Sequence, residues 1–556
     1  MNDRFIRSLG FVLMMAAVWL GNPASAGAGS GLVVSWDATN GVAYSLQRTP
    51  SLMPVTWSNV PPYTNMTGQG LMSLTNAASG ASNMFYRLSA VYSNSLSLVF
   101  TETGWSQTNT ESQSNIDMTN SPGQLFLKSD PSNMVPAFSV TKNIYDMVVY
   151  RDRLILSDCT SVNGTSDAYV HSYDYQSNTV SQLYSYAQGF YEQGIQDMYV
   201  WNDKLYIYGP DRADGGWDLG AIYLYNGTNW TRKLTVPGDV HGLSMGYFQN
   251  KLYLAITYSS NGTVANGLFL YQSSNDGDTW TDTGVINDFA FVKILGFNTK
   301  LAVFAYGGGS VNNGAGWLAR NANYSCYVTG HEEFSNKLYI ACMPGSSSSE
   351  GMLYTSDLAT FTSVTCFTNA YIADVVAYDS RLYALKWSGT DLQLYGSAGG
   401  QSWTACAQHI PATGTAQVQH PVALPYHGRL YVGGVGSGNA VYVSAAVSSG
   451  SLVSKPIKMF MGHVTLAWDA LTPTGTSVKF QLRTARTSGE LGAKPFIGPD
   501  GTSGACYEVS GVQTCPAHNG DTWVQYKVIM GTTDAKFTPY VNRVTLSGLP
   551  FVLKIE

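Results

Sequence analysis

Apolar residues in the middle of this chain come in short paired runs separated by two polar positions. Met147-Val148-Val149-Tyr150 is followed by Arg151-Asp152 and then by Arg153-Leu154-Ile155-Leu156. Such a pattern predicts an antiparallel hairpin with a tight turn. The second half recurs as Lys204-Leu205-Tyr206-Ile207, Lys251-Leu252-Tyr253-Leu254, Lys300-Leu301-Ala302-Val303, Lys337-Leu338-Tyr339-Ile340, Arg381-Leu382-Tyr383-Ala384 and Arg429-Leu430-Tyr431-Val432. Successive Leu positions are separated by 51, 47, 49, 37, 44 and 48 residues, a period that suits a four-stranded propeller blade.

Each repeat continues with a third strand, such as Ile222-Tyr223-Leu224-Tyr225, and a fourth that starts at an aromatic-Thr pair. Those pairs are Trp230-Thr231, Trp280-Thr281, Phe361-Thr362 and Trp403-Thr404. The last repeat lacks a fourth strand, and an open ring would leave an exposed edge. A strand upstream of the first repeat, near residues 137–140, is therefore expected to complete it. The fold class predicted is all-β, a seven-bladed β-propeller over residues 133–450 flanked by β-sandwich modules.

The flanks carry weaker patterns. Residues 27–92 contain Val33-Val34-Ser35-Trp36, Tyr44-Ser45-Leu46-Gln47-Arg48, Trp57 and Phe85-Tyr86-Arg87-Leu88. This segment resembles the fibronectin type III-like modules of secreted bacterial proteins, which implies a spacer or adhesion element. Residues 93–132 are polar and read as a linker or as part of a β module completed later in the chain. Residues 451–556 hold Val464-Thr465-Leu466-Ala467-Trp468, Trp523-Val524-Gln525-Tyr526-Lys527-Val528 and Val541-Asn542-Arg543-Val544-Thr545-Leu546. They resemble the jelly-roll modules found beside propellers in exported proteins, some of which bind sugar.

The start of the chain changes the compartment. Arg4 and Arg7 precede a short apolar run at 11–20, and Ala24-Ser25-Ala26 follows. That is the layout of a signal peptide over residues 1–26, with a secreted mature chain that has no later membrane span. Charged residues make up 12% and the formal net charge is −6, without the concentrated basic surface that nucleic acid requires. Seven cysteines are present. Cys506 and Cys515 are the expected disulfide, whereas Cys326, Cys366 and Cys406, spaced at about the blade period, are expected not to bond to one another.

Candidate chemistry sits where the innermost strands begin. Asp146, Asp197 and Asp374 occupy one position relative to the repeated Leu, Lys293 takes it in the fourth repeat, and His241, His331 and His420 fall within three residues of it. These strand starts should crowd one mouth of a central channel. The acids and histidines are then candidates for acid–base catalysis, with Lys293 a substrate contact. Asp side chains that merely cap turns or bind channel water are the plainer alternative. The loop at 211–218 offers Arg212 and Trp217 for sugar stacking, and Trp317 and Trp387 hold similar places. Packing between blades would account for the same tryptophans.

Residues 273–280, Ser-Ser-Asn-Asp-Gly-Asp-Thr-Trp, resemble the Asp-box of sialidase-like propellers, and 396–403 is a degraded copy. The resemblance implies a blade turn remote from the active site. No Arg-Ile-Pro segment accompanies it, so sialidase activity is not expected. Gly242-Leu243-Ser244-Met245-Gly246 matches GxSxG, but on an inner strand rather than a strand-turn-helix elbow. No cofactor is expected. Asp211, Asp214, Asp218 and Asp276, Asp278, Asp282 could hold Ca²⁺, or could be solvated turn residues. Together these features point to a secreted protein that binds or cleaves an extracellular polysaccharide or cell-surface glycan, as a glycoside hydrolase or polysaccharide lyase. The alternative is a non-catalytic adhesion protein using the propeller as a protein-binding platform.

Overall fold

The computed structural model describes residues 32–38, 42–49, 58–60, 63–64, 66–67, 70–76, 85–92, 99–159, 168–185, 195, 197–210, 219–237, 239–260, 263–286, 289–306, 308–314, 316, 326–344, 349–412, 421–548 and 553–555. Apart from three short 3₁₀ turns, every regular element among the described residues is a strand.

Consecutive antiparallel sheets follow one another along the middle of the chain. Their first strands are Asn143–Tyr150, Asp197–Trp201, Asp239–Phe248, Phe289–Phe297, Cys326–Phe334, Tyr371–Tyr378 and Val422–Tyr426. Each touches the next, and the last touches the first, so the sheets close a ring. Six are four-stranded, while the fourth shows three strands among the described residues.

The turn that starts each sheet has a physical cause. First and second strands are joined by Arg151-Asp152, Asn202-Asp203, Gln249-Asn250, Asn298-Thr299, Ser335-Asn336, Asp379-Ser380 and His427-Gly428, all with φ between 46° and 66°. Two positive φ values in a two-residue loop give the turn whose twist matches that of the strands. An aromatic residue then faces Lys or Arg across the hairpin, from Tyr150 opposite Arg153 to Tyr426 opposite Arg429. The Leu that follows points inward. Leu154, Leu205, Leu252, Leu301, Leu338, Leu382 and Leu430 are each at most 2% exposed, and each is worth about 1.5–3 kcal/mol of burial.

Apolar clusters fill the wedges between neighbouring sheets. Ile207 packs with Ile155 between the first and second, and Tyr206 with Leu252 between the second and third. Phe304 packs with Leu338 between the fourth and fifth, and Tyr431 with Met147 where the ring closes. The predicted aromatic-Thr rings sit at these seams: Trp230 lies 4.6 Å from Tyr184 of the preceding sheet, and Phe361 stands edge-on to Phe304 at 6.1 Å.

Closure uses an upstream strand. Ser129–Ser139 pairs antiparallel with Ala440–Ala446, including Phe138 opposite Val441. This strand is longer than the 137–140 segment expected and begins before residue 133. The described strands between residues 99 and 127 belong with the C-terminal part. Val99–Glu102 and Leu125–Leu127 pair with Tyr540–Ser547, and Thr110–Ser114 pairs with Ser449–Ser454. Two sheets thus enclose a core of Leu125, Leu452, Phe480, Tyr526 and Val544. The chain end also departs from the sequence-based boundary, because Leu553–Ile555 pairs with Leu32–Ala38 near the N-terminus.

The ring docks firmly on this C-terminal part. Tyr175 Oη donates to Thr538 O at 2.9 Å and accepts from Thr538 N–H at 2.7 Å. His427 stacks on Tyr540 at 5.1 Å, and the fully buried Arg429 donates to Ala535 O at 2.7 Å.

The cysteines correct one expectation. Cys506 and Cys515 are both free thiols. Cys515 is buried with its sulfur toward Gly501, where an added Cβ would lie 3.5 Å away, and its N–H is taken by Tyr507 Oη at 2.8 Å. Cys326, Cys342, Cys366 and Cys406 are free thiols as well.

Candidate functional site

Eight residues before each repeated Leu stand Asp146, Asp197, Ser244, Lys293, Gly330, Asp374 and Val422. In five of the seven strands the ladder slips immediately before this position, at Asp146, Ser244, Lys293, Gly330 and Asp374. A bulge re-aims the side chain that follows it. The result is one ring of residues where the inner strands begin.

Three members of this ring tie neighbouring sheets together. Asp146 accepts from Met147 N–H at 2.8 Å and from Met198 N–H of the next sheet at 2.7 Å. Asp374 repeats the arrangement with Val375 N–H at 2.8 Å and Ala423 N–H at 2.9 Å. Ser244 accepts from Ile294 N–H at 3.0 Å. Ser244 is therefore a buried strut, and the GxSxG match carries no nucleophile. Gly330 is required by its neighbour, since a Cβ there would lie 2.0 Å from Asp374 Oδ1.

Lys293 breaks the pattern. An ammonium cannot accept an N–H. It reaches instead across the third sheet to Asp197 of the second, with Nζ 3.5 Å from Oδ2. Both side chains keep some access, 22% for Lys293 and 16% for Asp197, so a ligand could reach the pair. Burial opposes the Lys293 charge, yet the carboxyl groups of Asp197, Asp146 and Asp374 outweigh it and hold the ammonium above its ordinary range. Burial, then the charge of Asp197, pushes Asp146 well above the usual carboxylate range. Burial likewise pushes Asp374 up to about 7 against the pull of its two backbone donors.

His331 follows Gly330 in the fifth sheet and is surface-accessible. Enclosure by the surrounding protein, then the Lys293 charge, pushes its imidazole down to about 4. It is a neutral donor–acceptor at pH 7. Two further residues were missed by sequence reasoning. Tyr208 lies directly opposite Asp197 in the ladder, and burial followed by the Asp197 charge pushes its phenol well up. Glu332 accepts from Ala377 N–H at 3.1 Å. Register would have found Tyr208: it is the residue that must face Asp197 once the two-residue turn is fixed.

The structure brings Asp146, Asp197, Lys293, His331 and Asp374 together. His241 lies on the third inner strand opposite Thr257, with its side chain outside the described residues. His420, Arg212, Trp217 and Trp317 also lie outside them. Trp387 does not serve as a stacking platform: it is 3% exposed, donates to Ala412 O at 2.8 Å and packs edge-on to Tyr371.

The turn at 273–280 lies at the opposite end of its sheet, beside the hairpin turns. Ser273 Oγ accepts from Gly277 N–H at 2.9 Å, and Trp280 Nε1 donates to Gly277 O at 3.0 Å. Ser397, Gly400 and Trp403 repeat the pattern. The Ca²⁺ reading at Asp276 and Asp278 gives way to ion pairs with Lys204 and Lys233. Among the described residues there is no cluster of His, Cys, Asp and Glu suited to a metal. No helix among them is long and apolar enough to cross a membrane.

The chain is an all-β, propeller-type protein. No family model matches it, and no curated protein does. Among solved structures it is similar to the exo-beta-1,3-galactanase of Phanerochaete chrysosporium in complex with galactose. Identity is 10% and the TM-score 0.26, over 63% of this chain and 94% of that one. It is also similar to the propeller domain of the Trilobed protease of Pyrococcus furiosus, at 8% identity and a TM-score of 0.36, over 55% of this chain and 95% of that one.

Proposed function

We propose that this chain is an exported protein that binds an extracellular polysaccharide over the mouth of its channel, with Asp197, Lys293 and His331 as the ligand contacts. The observation that carries the reading is the Lys293–Asp197 pair. At the same position Asp146, Ser244 and Asp374 are consumed in tying sheets together, whereas these two reach past a whole sheet to each other and stay accessible. An ammonium, a carboxylate and a neutral imidazole converging on one opening match the donors and acceptors of sugar hydroxyls. Arg212, Trp217 and Trp317 are proposed rim contacts. In this reading the seven sheets are the blades of one propeller, residues 1–26 are a signal peptide, and the flanking β units are sandwich modules of fibronectin type III-like and jelly-roll-like kind.

If the chain turns its ligand over, proton abstraction beside a uronate carboxylate fits better than hydrolysis by paired acids. Both Asp146 oxygens already accept backbone N–H groups, while neutral His331 lies beside the Lys293 cation, which would neutralise the uronate. A polysaccharide panel tests this. The expected result is binding that weakens at least tenfold in Asp197→Asn and Lys293→Met. Ultraviolet-absorbing unsaturated products would mark a lyase, and new reducing ends alone a hydrolase. Failure to bind any polysaccharide on a broad panel rejects the proposal and leaves the adhesion reading.

A further inference from the structure

The fifth sheet holds a pair of thiols that no part of the mouth chemistry uses. Cys326 opens the inner strand Cys326–Phe334, and Cys342 lies on its partner Lys337–Pro344. Cys342 faces Val328 directly, which places Cys326 on the adjacent diagonal of the same sheet face. Cross-strand diagonals on one face are within side-chain reach. Here the two sulfurs are in contact at 2.7 Å, and both side chains are fully buried in the cluster between the fourth and fifth sheets.

The position gives the contact a purpose. The ladder slips between Val328 and Gly330. Cys326, Tyr327 and Val328 pair with Pro344, Met343 and Cys342 before the slip, and Gly330 and His331 follow it, so the thiols lie at the strand end next to the mouth residues. A covalent tie from Cys326 to Cys342 would clamp that end onto the second strand.

We infer that Cys326 and Cys342 are a disulfide site, closed when the chain folds in the presence of a disulfide oxidant. The step is two thiol–disulfide exchanges. One Cys thiolate attacks a sulfur of a small-molecule disulfide such as oxidised glutathione and releases one glutathione thiolate. The second Cys thiolate then attacks the protein sulfur of that mixed disulfide and releases the other. Two protein thiols lose two protons and two electrons, and one oxidised glutathione becomes two reduced molecules. Exchange needs an accessible thiolate. In the folded chain both sulfurs are buried, and burial pushes the Cys342 thiol well above its ordinary range. The bond must therefore form before the sheet closes.

The test uses the full chain, refolded once in a mixture of reduced and oxidised glutathione and once with reductant alone. A non-reduced digest of the first sample should contain the Cys326–Cys342 peptide pair. Reduced, folded protein should label at these two positions far more slowly than at exposed Cys366. The oxidised form should melt about 3–5 °C higher than the reduced form, as expected for a cross-link of this loop size in a large domain. Cys326→Ala should erase that difference. Free, alkylatable Cys326 and Cys342 after oxidative refolding, a bond from either to Cys366 or Cys406, or equal melting of the two forms would overturn the inference.

Discussion

The two ends of the same ring of sheets follow different rules. At the turn end all seven hairpins use the same two-residue loop, the same aromatic–basic facing pair and the same buried Leu. At the mouth end the strands slip register, and the residue at the common position varies among Asp, Ser, Lys, Gly and Val. What repeats is what the fold needs from every sheet. What departs from the repeat is free to serve a ligand, and Lys293 with Asp197 departs furthest. Asp146 and Asp374, alike to Asp197 in sequence, fall on the structural side because backbone donors occupy their oxygens.

Mutations at the two ends should separate these roles. Leu382→Ala at the turn end should cost about 2–5 kcal/mol in urea unfolding, with ligand affinity per folded molecule unchanged. Asp374→Ala should cost about 2 kcal/mol, since it strands two N–H groups at a partly hydrated position. Asp197→Asn should instead change stability by less than Asp374→Ala while weakening glycan binding, because Asp197 anchors no backbone N–H of a neighbouring sheet and its amide replacement still fills the same space. Equal stability losses at Asp197 and Asp374 would erase the distinction between them.

The pH response sharpens the same contrast. Asp374 is raised from 3.8 to about 7 in the fold. Its folded value exceeds its unfolded one, so its contribution is complete below about pH 4 and is lost as pH rises through 7. The urea midpoint of wild type relative to Asp374→Ala should therefore fall between pH 4 and pH 8. A difference that grows over that range would reverse the assignment.

Smaller effects belong to the turn end. Thr299 holds φ at 61° despite its branched Cβ, and Thr299→Gly should raise stability by about 1 kcal/mol. Lys204→Ala removes a partly exposed ion pair with Asp276 and should cost about 0.5 kcal/mol, measurable as a shift in thermal midpoint that shrinks with added salt.

Much of the ring was legible because its signal is local. An aromatic residue, two polar residues, a basic residue and Leu describe one hairpin completely, and the spacing of the Leu positions then gives the repeat. The same locality explains the misses. Trp387 holds a place in its repeat similar to that of Trp217, but it points into the seam between the sixth and seventh sheets. Cys506 and Cys515 are close in sequence, whereas closeness in space belongs to Cys326 and Cys342, a diagonal pair on neighbouring strands.

The amino-acid sequence by itself determined the strands, their turns, the buried Leu face and the single position per repeat where chemistry gathers. These follow from period-two alternation and turn propensity, which act over a few residues. Tertiary structure decided which of three equivalent aspartates is a strut and which pairs with Lys293. It also decided that Ser129–Ser139 closes the ring and that Val99–Glu102 and Leu125–Leu127 pair with Tyr540–Ser547, more than four hundred positions later. Those outcomes depend on which backbone N–H of a neighbouring sheet lies within hydrogen-bond reach, a distance set by the ring as a whole.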